Sequence, residues 1–394
     1  MDSSTYCPLP FVHPFFDVRG FYSPCCNGNH SENSKHVSQM TAIEWFYSDD
    51  MKKLRHDMLN SNKNAMCDHC WKKEDLNIWS ARKTHVEYWK NKTIDHNNPV
   101  PKYFDLKPSN HCNLACIFCT PGNSDKIINI TENLPDNEQP ERWQRSIKLW
   151  NKVKEAGTFD NSIINYIKNN IEHLELLKFT GGEPFLSKEV LEILKMISNV
   201  KPELELKFTT NGTVITKEFY SILYNMKNTS IKVSIDGIED LYSYIKYPSK
   251  WNQFERIFKN SMKNLPNVNF NINCLITNMN LEQLPKIQNW FNTLQQEYKN
   301  LKFIIFDPNL TPYDQDTGIY QMDVGTLKRI KQFLIDSDWK VNDTFKKIDD
   351  AINNNRHDPS YVKTEFIKHN KIRDCNIAGI VEPITKTFFK ELNL

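Results

Sequence analysis

Three cysteines, Cys112, Cys116 and Cys119, fall within eight positions of the stretch HCNLACIFC (111–119), in a CxxxCxxC pattern. Thiolates that close together suit a metal, yet a closed structural site ordinarily takes four ligands. Either a fourth ligand comes from elsewhere or one coordination position is left open for chemistry. Five more cysteines crowd the first 70 residues: Cys7, Cys25, Cys26, Cys67 and Cys70, the last two as CDHC, while Cys274 and Cys375 stand alone. The opening MDSSTYCPLPFVHPFF lacks a basic segment followed by an apolar run, so no export signal is expected. A cytoplasmic location and reduced thiols follow as expectations, and clustered thiols in a reducing compartment point to metal or iron–sulfur chemistry.

The elements that must position these residues come next. The chain has 394 residues, 39% of them hydrophobic, with nine Trp and 23 Phe, enough for a substantial packed core. Fifty basic groups against 48 acidic ones leave a net charge of +2, which gives no reason to expect a nucleic-acid or membrane surface. No run of 18 apolar residues is present, so no membrane-spanning helix is expected. Six segments read as short strands: 102–108, 174–184, 204–212, 231–237, 268–277 and 301–308. Helical periods separate most of them, as in SKEVLEILKMIS, with Val190, Ile193, Leu194 and Ile197 on one face and Ser187 as N-cap. This alternation implies an α/β fold with parallel strands and crossover helices. Some 65 residues (109–173) separate the first two strands; a bare loop of that length is unexpected, so RSIKLWNKVKEAG is read as helical. Part of 123–160 is expected to border the site. AIEWFYSDDMKKLRHDML (42–59) reads as a helix, and the tail beyond about 320 as helices only.

The polar motifs share an address. The three cysteines follow the first strand, Gly181, Gly182, Glu183 and Pro184 the second, and Thr210, Asn211 and Gly212 the third; Ser234 and Asp236 end the fourth, Thr277 and Asn278 the fifth. In parallel α/β architectures the C-terminal strand ends converge, and active sites are built there. Each motif alone could be a turn, and CxxxCxxC alone could be half a zinc site.

In this order the motifs resemble the radical S-adenosylmethionine (SAM) superfamily, over roughly residues 102–310. The resemblance implies a partial (βα)6 TIM-like barrel. It also implies a 4Fe–4S cluster held by Cys112, Cys116 and Cys119, with the fourth iron left for SAM. Phe118 occupies the aromatic position before the last cysteine. By the same resemblance Gly181, Gly182 and Pro184 shape the SAM loop, and Glu183 accepts a bond from the methionine ammonium. Ser234 and Asp236 offer acceptors to the ribose, and Asn211 and Asn278 bond SAM's polar edges. Lys246 stands near where relatives often carry arginine; it either pairs with the SAM carboxylate or is a solvated loop lysine. One electron from the cluster would cleave SAM to methionine and a 5′-deoxyadenosyl radical, chemistry that no side chain can initiate.

The amino-terminal cysteines resemble a SPASM/twitch auxiliary-cluster domain, which in most relatives follows the barrel and here precedes it. The resemblance implies a second, auxiliary centre on Cys7, Cys67, Cys70 and one of Cys25 and Cys26, with Cys25 favoured after Pro24. Iron–sulfur is the expected content, with zinc as the alternative. Cys274 is read as a packed core thiol, Cys375 as inert, and His13, His69 and His111 are given no role. The expected organisation is a cysteine-rich domain over 1–100, a radical SAM core over 101–310 and a helical extension over 311–394. The expected function is an oxidoreductase acting on a peptide or protein side chain, with an external electron donor such as flavodoxin or ferredoxin. A small-molecule or nucleoside substrate is the alternative, and a non-catalytic electron-transfer or zinc-stabilised binding module is the reading of another class.

Overall fold

The computed structural model describes residues 4–29, 34–75, 79–307 and 316–394. Pro308 of the last expected strand, and 311–315 of the expected extension, lie outside them.

Eight strands are described. β1 (Phe15–Phe16) and β2 (Tyr22–Ser23) form a small antiparallel pair. β3 (Tyr103–Leu106), β4 (Leu176–Phe179), β5 (Glu205–Thr210), β6 (Thr229–Ser234), β7 (Asn269–Leu275) and β8 (Leu301–Asp307) make a six-stranded sheet in chain order. The pairs β3–β4, β6–β7 and β7–β8 are parallel. Five of the six expected strand segments contain one of these strands, while the expected 231–237 starts two residues later than β6 and runs past its end. Helices Ser162–Asn170, Lys188–Val200, Lys217–Asn225, Trp251–Asn264 and Leu284–Glu297 alternate with them.

The alternation of residue types explains the sheet's two faces. Along β6, Ile231 and Val233 are buried, while Ser230, Lys232 and Ser234 point the other way; on β7, Phe270, Ile272 and Cys274 are buried. Phe270 meets Phe258 of the helix Trp251–Asn264 edge-on at 5.9 Å, so the apolar face carries the helices. On the polar face Asn271 donates to Ser230 Oγ at 2.9 Å. Ser187 caps its helix by accepting from Val190 N–H.

Two compact units are present: residues 1–110, 149–207 and 226–228 in one, and 111–148, 208–225 and 229–394 in the other. In the first, the stretch expected to be one helix over 42–59 is two, Ala42–Phe46 and Asp49–Leu59. The break is chemical: the Ser48 side chain accepts from Met51 N–H and starts a new helix. Arg55 of the second helix reaches back across that break to donate to Phe46 O, its guanidinium 4.3 Å from the Phe46 ring, and donates also to Pro10 O at 2.8 Å. In the second unit, helices Val324–Asp336, Asn342–Asn353, Pro359–Arg373 and Pro383–Glu391 make up the carboxyl-terminal part. Among the described residues no helix is long and apolar enough to cross a membrane.

Candidate functional site

The cysteine loop 111–119 has no regular secondary structure, so its backbone polar groups need partners from elsewhere. They have them. Cys112 N–H donates to Asp125 Oδ1 at 2.9 Å, Ala115 N–H to Tyr247 O at 2.7 Å and Ile117 N–H to Ile245 O at 3.1 Å. Ser124 Oγ donates to Leu114 O at 2.6 Å. Two guanidiniums take the next carbonyls: Arg373 binds Ala115 O at 3.1 Å, and Arg142 binds Ile117 O and, at 3.3 Å, Cys119 O. Leu114, Ala115 and Ile117 are buried, which fixes the loop from its apolar side and leaves the three sulfurs as its unassigned chemistry.

Asn211 belongs to this loop. Its Nδ2 donates to Asn113 Oδ1 at 2.9 Å and reaches Cys112 Sγ at 3.8 Å, and its Oδ1 accepts from Thr213 N–H at 2.9 Å. The turn that makes this possible contains Gly212 at φ +70°, where a Cβ would stand 2.7 Å from Val233.

Lys246 is not a solvated lysine: it is 3% exposed and ion-paired with Asp236, itself 2% exposed. The reason is mutual compensation of two buried charges. Burial works against the ammonium, but Asp236 and Cys116 outweigh it and raise its pKa above the ordinary lysine range. Asp236 Oδ1 accepts from Leu275 N–H at 2.7 Å, so this carboxylate is already engaged within the protein. Phe118 lies beneath the Lys246 ammonium, 5.3 Å from its ring centre. Ser234 is half-buried at the end of β6. Asn278 is wholly buried; its Nδ2 donates to Asp316 O at 2.7 Å, and its Oδ1 has no hydrogen-bond partner among the described residues.

Burial pushes the Cys119 thiol up to about 12, with the Cys116 thiolate adding to the effect and Arg142 and Lys246 opposing it. Cys116 is raised by the same burial, with Lys246 and Arg373 pulling the other way. Three thiols on a tethered loop, faced by three cations, are a donor set that fits a thiolate-ligated cluster.

The GGEP motif is in the other unit. Gly181 has φ +99°, and a Cβ there would stand 3.1 Å from Ser109 O. The crowding comes from the protein's own chain, and Gly182 N–H donates to the same Ser109 O at 3.1 Å. Glu183 is 2% exposed; its Oε1 accepts from Phe185 N–H at 3.2 Å and caps the short turn Pro184–Leu186.

That unit also gathers the amino-terminal cysteines. Cys7 lies within electrostatic reach of Cys67 and Cys70, and Cys25 within reach of Cys7 and Cys67. Two bonds draw the Cys25 turn toward Cys67: Asn29 N–H to Met66 O and Asn29 Nδ2 to Ala65 O, both 2.9 Å. Cys26 has different neighbours, Lys178 and Asp105. Those two form an ion pair at 2.7 Å, and Thr180 Oγ1 donates to Asp105 at 2.8 Å. Burial pushes the Cys67 thiol up to about 12, with Cys70 adding and Arg82 opposing. Four thiols are the number of ligands a closed tetrahedral centre takes. Among the described residues no three His, Cys, Asp or Glu side chains are gathered closely enough for a single metal ion.

Cys274 is fully buried in β7. His13 is buried and stacked on Tyr103 at 4.1 Å, and burial lowers its pKa to about 3. His111 is exposed and pairs with Asp125 at 2.7 Å. Sequence reasoning missed Asn113, Asp125, Arg142, Thr213 and Arg373. Only proximity to the cysteine motif could have pointed to Asn113; the others carry no local signature.

Residues 106–291 of the chain match the family model described as the Radical SAM superfamily. Among curated proteins it is 27% identical over 147 residues to the GTP 3′,8-cyclase of Campylobacter jejuni subsp. doylei, covering 37% of this chain and 38% of that one. It is 22% identical over 210 residues to molybdenum cofactor biosynthesis protein 1 of Dictyostelium discoideum, covering 53% and 29%. The chain thus spans well under half the length of these relatives. The crystal structure of Streptococcus suis SuiB aligns at 19% identity and TM-score 0.38, covering 75% of this chain and 59% of that one.

Proposed function

We propose that the protein is a radical SAM enzyme. The observation that carries this reading is the loop 111–119, which gathers three cysteines outside any disulfide while its backbone is tied down, inside the stretch that matches the superfamily. Cys112, Cys116 and Cys119 would hold a 4Fe–4S cluster, which when reduced supplies the electron that splits SAM into methionine and a 5′-deoxyadenosyl radical. Glu183 would receive the methionine ammonium and Gly181, Gly182 and Pro184 would shape its loop; Ser234 would face the ribose. Asn278 keeps a buried acceptor, Oδ1, for a donor on SAM. Asn211 serves chiefly to orient Cys112, and Asp236 with Lys246 acts as one charge-balanced unit beside Phe118. The sheet is read as a partial (βα)6 barrel over 101–310, its polar face being the lumen, followed by the extension 311–394.

The cysteine-rich segment 1–100 is proposed to hold an auxiliary iron–sulfur centre on Cys7, Cys25, Cys67 and Cys70, with zinc as the alternative. Cys26, facing Asp105 and Lys178, is left out of the ligand set. The proposed substrate is a peptide or protein side chain, on the strength of that auxiliary segment. A nucleotide is the second reading, favoured by the similarity to proteins named GTP 3′,8-cyclase. The proposed setting is cytoplasmic, with electrons from a flavodoxin or ferredoxin.

The test is to replace Cys112, Cys116 and Cys119 together with alanine and reconstitute anaerobically. Iron and sulfide for about one cluster per chain should remain, with SAM cleavage abolished. Retained cleavage would refute the core assignment, and complete loss of bound metal the auxiliary one. Mass spectrometry of candidate peptides and of GTP after turnover separates the two substrate readings.

A further inference from the structure

Cys116 is the middle ligand of the proposed core centre, and its two flanking carbonyls receive unusual partners. Ala115 O accepts from Arg373 and Ile117 O from Arg142, and these arginines are 7% and 8% exposed. They come from helices far apart in sequence, Pro359–Arg373 and Glu141–Asn151. A backbone carbonyl can be satisfied by a neutral donor at little cost. A buried guanidinium carries a large desolvation penalty, so placing two of them on neighbouring carbonyls implies that charge matters there.

Arg373 is itself held in place. Its Nε donates to Tyr244 O at 2.7 Å, and its Nη1 lies 3.2 Å from His369 Nδ1. His369 Nε2 in turn lies 3.2 Å from Asp316 Oδ2. Arg373 can only donate, so His369 accepts at Nδ1 and carries its proton on Nε2, facing the carboxylate. Burial keeps that imidazole neutral, lowering its pKa to about 4 against the pull of Asp316. The Trp143, Tyr244 and Tyr247 rings lie 5.2–5.9 Å from the guanidinium. The aromatic packing and the two side-chain bonds leave Arg373 one orientation, toward the cysteine loop.

We infer that Arg373, oriented by Asp316 and His369, and Arg142 are positioning residues that fix the Cys116 segment and raise the reduction potential of the cluster it holds. This rests on the radical SAM reading. Cation charge and hydrogen bonding beside a cluster favour its reduced, more negative state. The helix Pro359–Arg373, outside the family match, thereby becomes part of the redox machinery.

The experiment uses the anaerobically reconstituted full chain, carrying Arg373→Met, Arg373→Lys or Arg142→Met. Midpoint potentials are read by electron paramagnetic resonance and protection of amides 113–119 by hydrogen exchange. Arg373→Met should lower the ratio of reduced to oxidised core cluster about tenfold at fixed potential, equivalent to about 59 mV for one electron. It should also speed loop exchange. Arg373→Lys should restore most of the potential but not the protection, because charge returns without the fork. Arg142→Met tests the same claim from a separate helix should Arg373→Met not fold. Reduced-to-oxidised ratios within twofold of wild type at fixed potential, in fully loaded variants, would overturn the inference while leaving the radical SAM reading intact. A wild-type chain that accepts no core cluster would overturn both.

Discussion

Buried charge is the residue-scale theme of this molecule. Lys246 and Asp236 are both nearly inaccessible, and each is tolerable only because of the other. Asp236→Asn preserves shape and an acceptor for Leu275 N–H but leaves the ammonium unpaired. It should destabilise the protein by about 3–5 kcal/mol in denaturant unfolding. The double variant Asp236→Leu/Lys246→Met should recover much of that loss; a single variant costing under about 1 kcal/mol would show that the pair contributes little. Legibility at this scale was uneven. The cysteines and the GGEP motif announce themselves by type and spacing, and Lys246 was noticed by position. Its burial was not readable, because YSYIKYPSKW contains nothing that separates a paired lysine from a solvated one. Arg142 and Arg373 were invisible for a related reason: an arginine in a helix has no local pattern, and its partner carbonyls lie 25 and 258 positions away.

The strands were the most readable elements, since alternation on β5 and β6 is set by one apolar and one polar sheet face. Helix extent was less readable. Ser48 ends one helix and caps the next, and a serine inside an otherwise helical period does not reveal that role without its partner N–H. The long insertion between β3 and β4 does carry helices, Asp125–Thr131, Glu141–Asn151 and Ser162–Asn170. From sequence, deleting 131–142 is expected to impair substrate turnover more than SAM cleavage. The structure changes that expectation, because the deletion removes Arg142 from the Ile117 and Cys119 carbonyls. Cluster loading and SAM cleavage should fall together with turnover, as iron content and 5′-deoxyadenosine yield will show. Full loading with uncoupled cleavage intact would mean that the insertion serves the substrate alone.

At the scale of the whole molecule, the stretch 106–291 that matches the Radical SAM superfamily model lies between an amino-terminal cysteine set and a carboxyl-terminal helical part. The helix Pro359–Arg373 shares a compact unit with the cysteine loop, an arrangement no strand pattern could disclose. Four cysteines spread over residues 7 to 70 come within one another's electrostatic reach through bonds such as Asn29 to Met66. Spacing could suggest that set but could not choose between Cys25 and Cys26; the proposal of Cys25 draws on its having Cys7 and Cys67 as neighbours, where Cys26 has Lys178 and Asp105. The central claim is that this chain cleaves SAM reductively at the cluster held by Cys112, Cys116 and Cys119. The most direct measurement is quantification of 5′-deoxyadenosine and methionine from the anaerobically loaded, chemically reduced protein with SAM and no other substrate. Equal amounts of both products, dependent on reductant and absent when Cys112, Cys116 and Cys119 are alanine, are the predicted result. A fully loaded and reduced protein that binds SAM yet releases no 5′-deoxyadenosine would contradict the account.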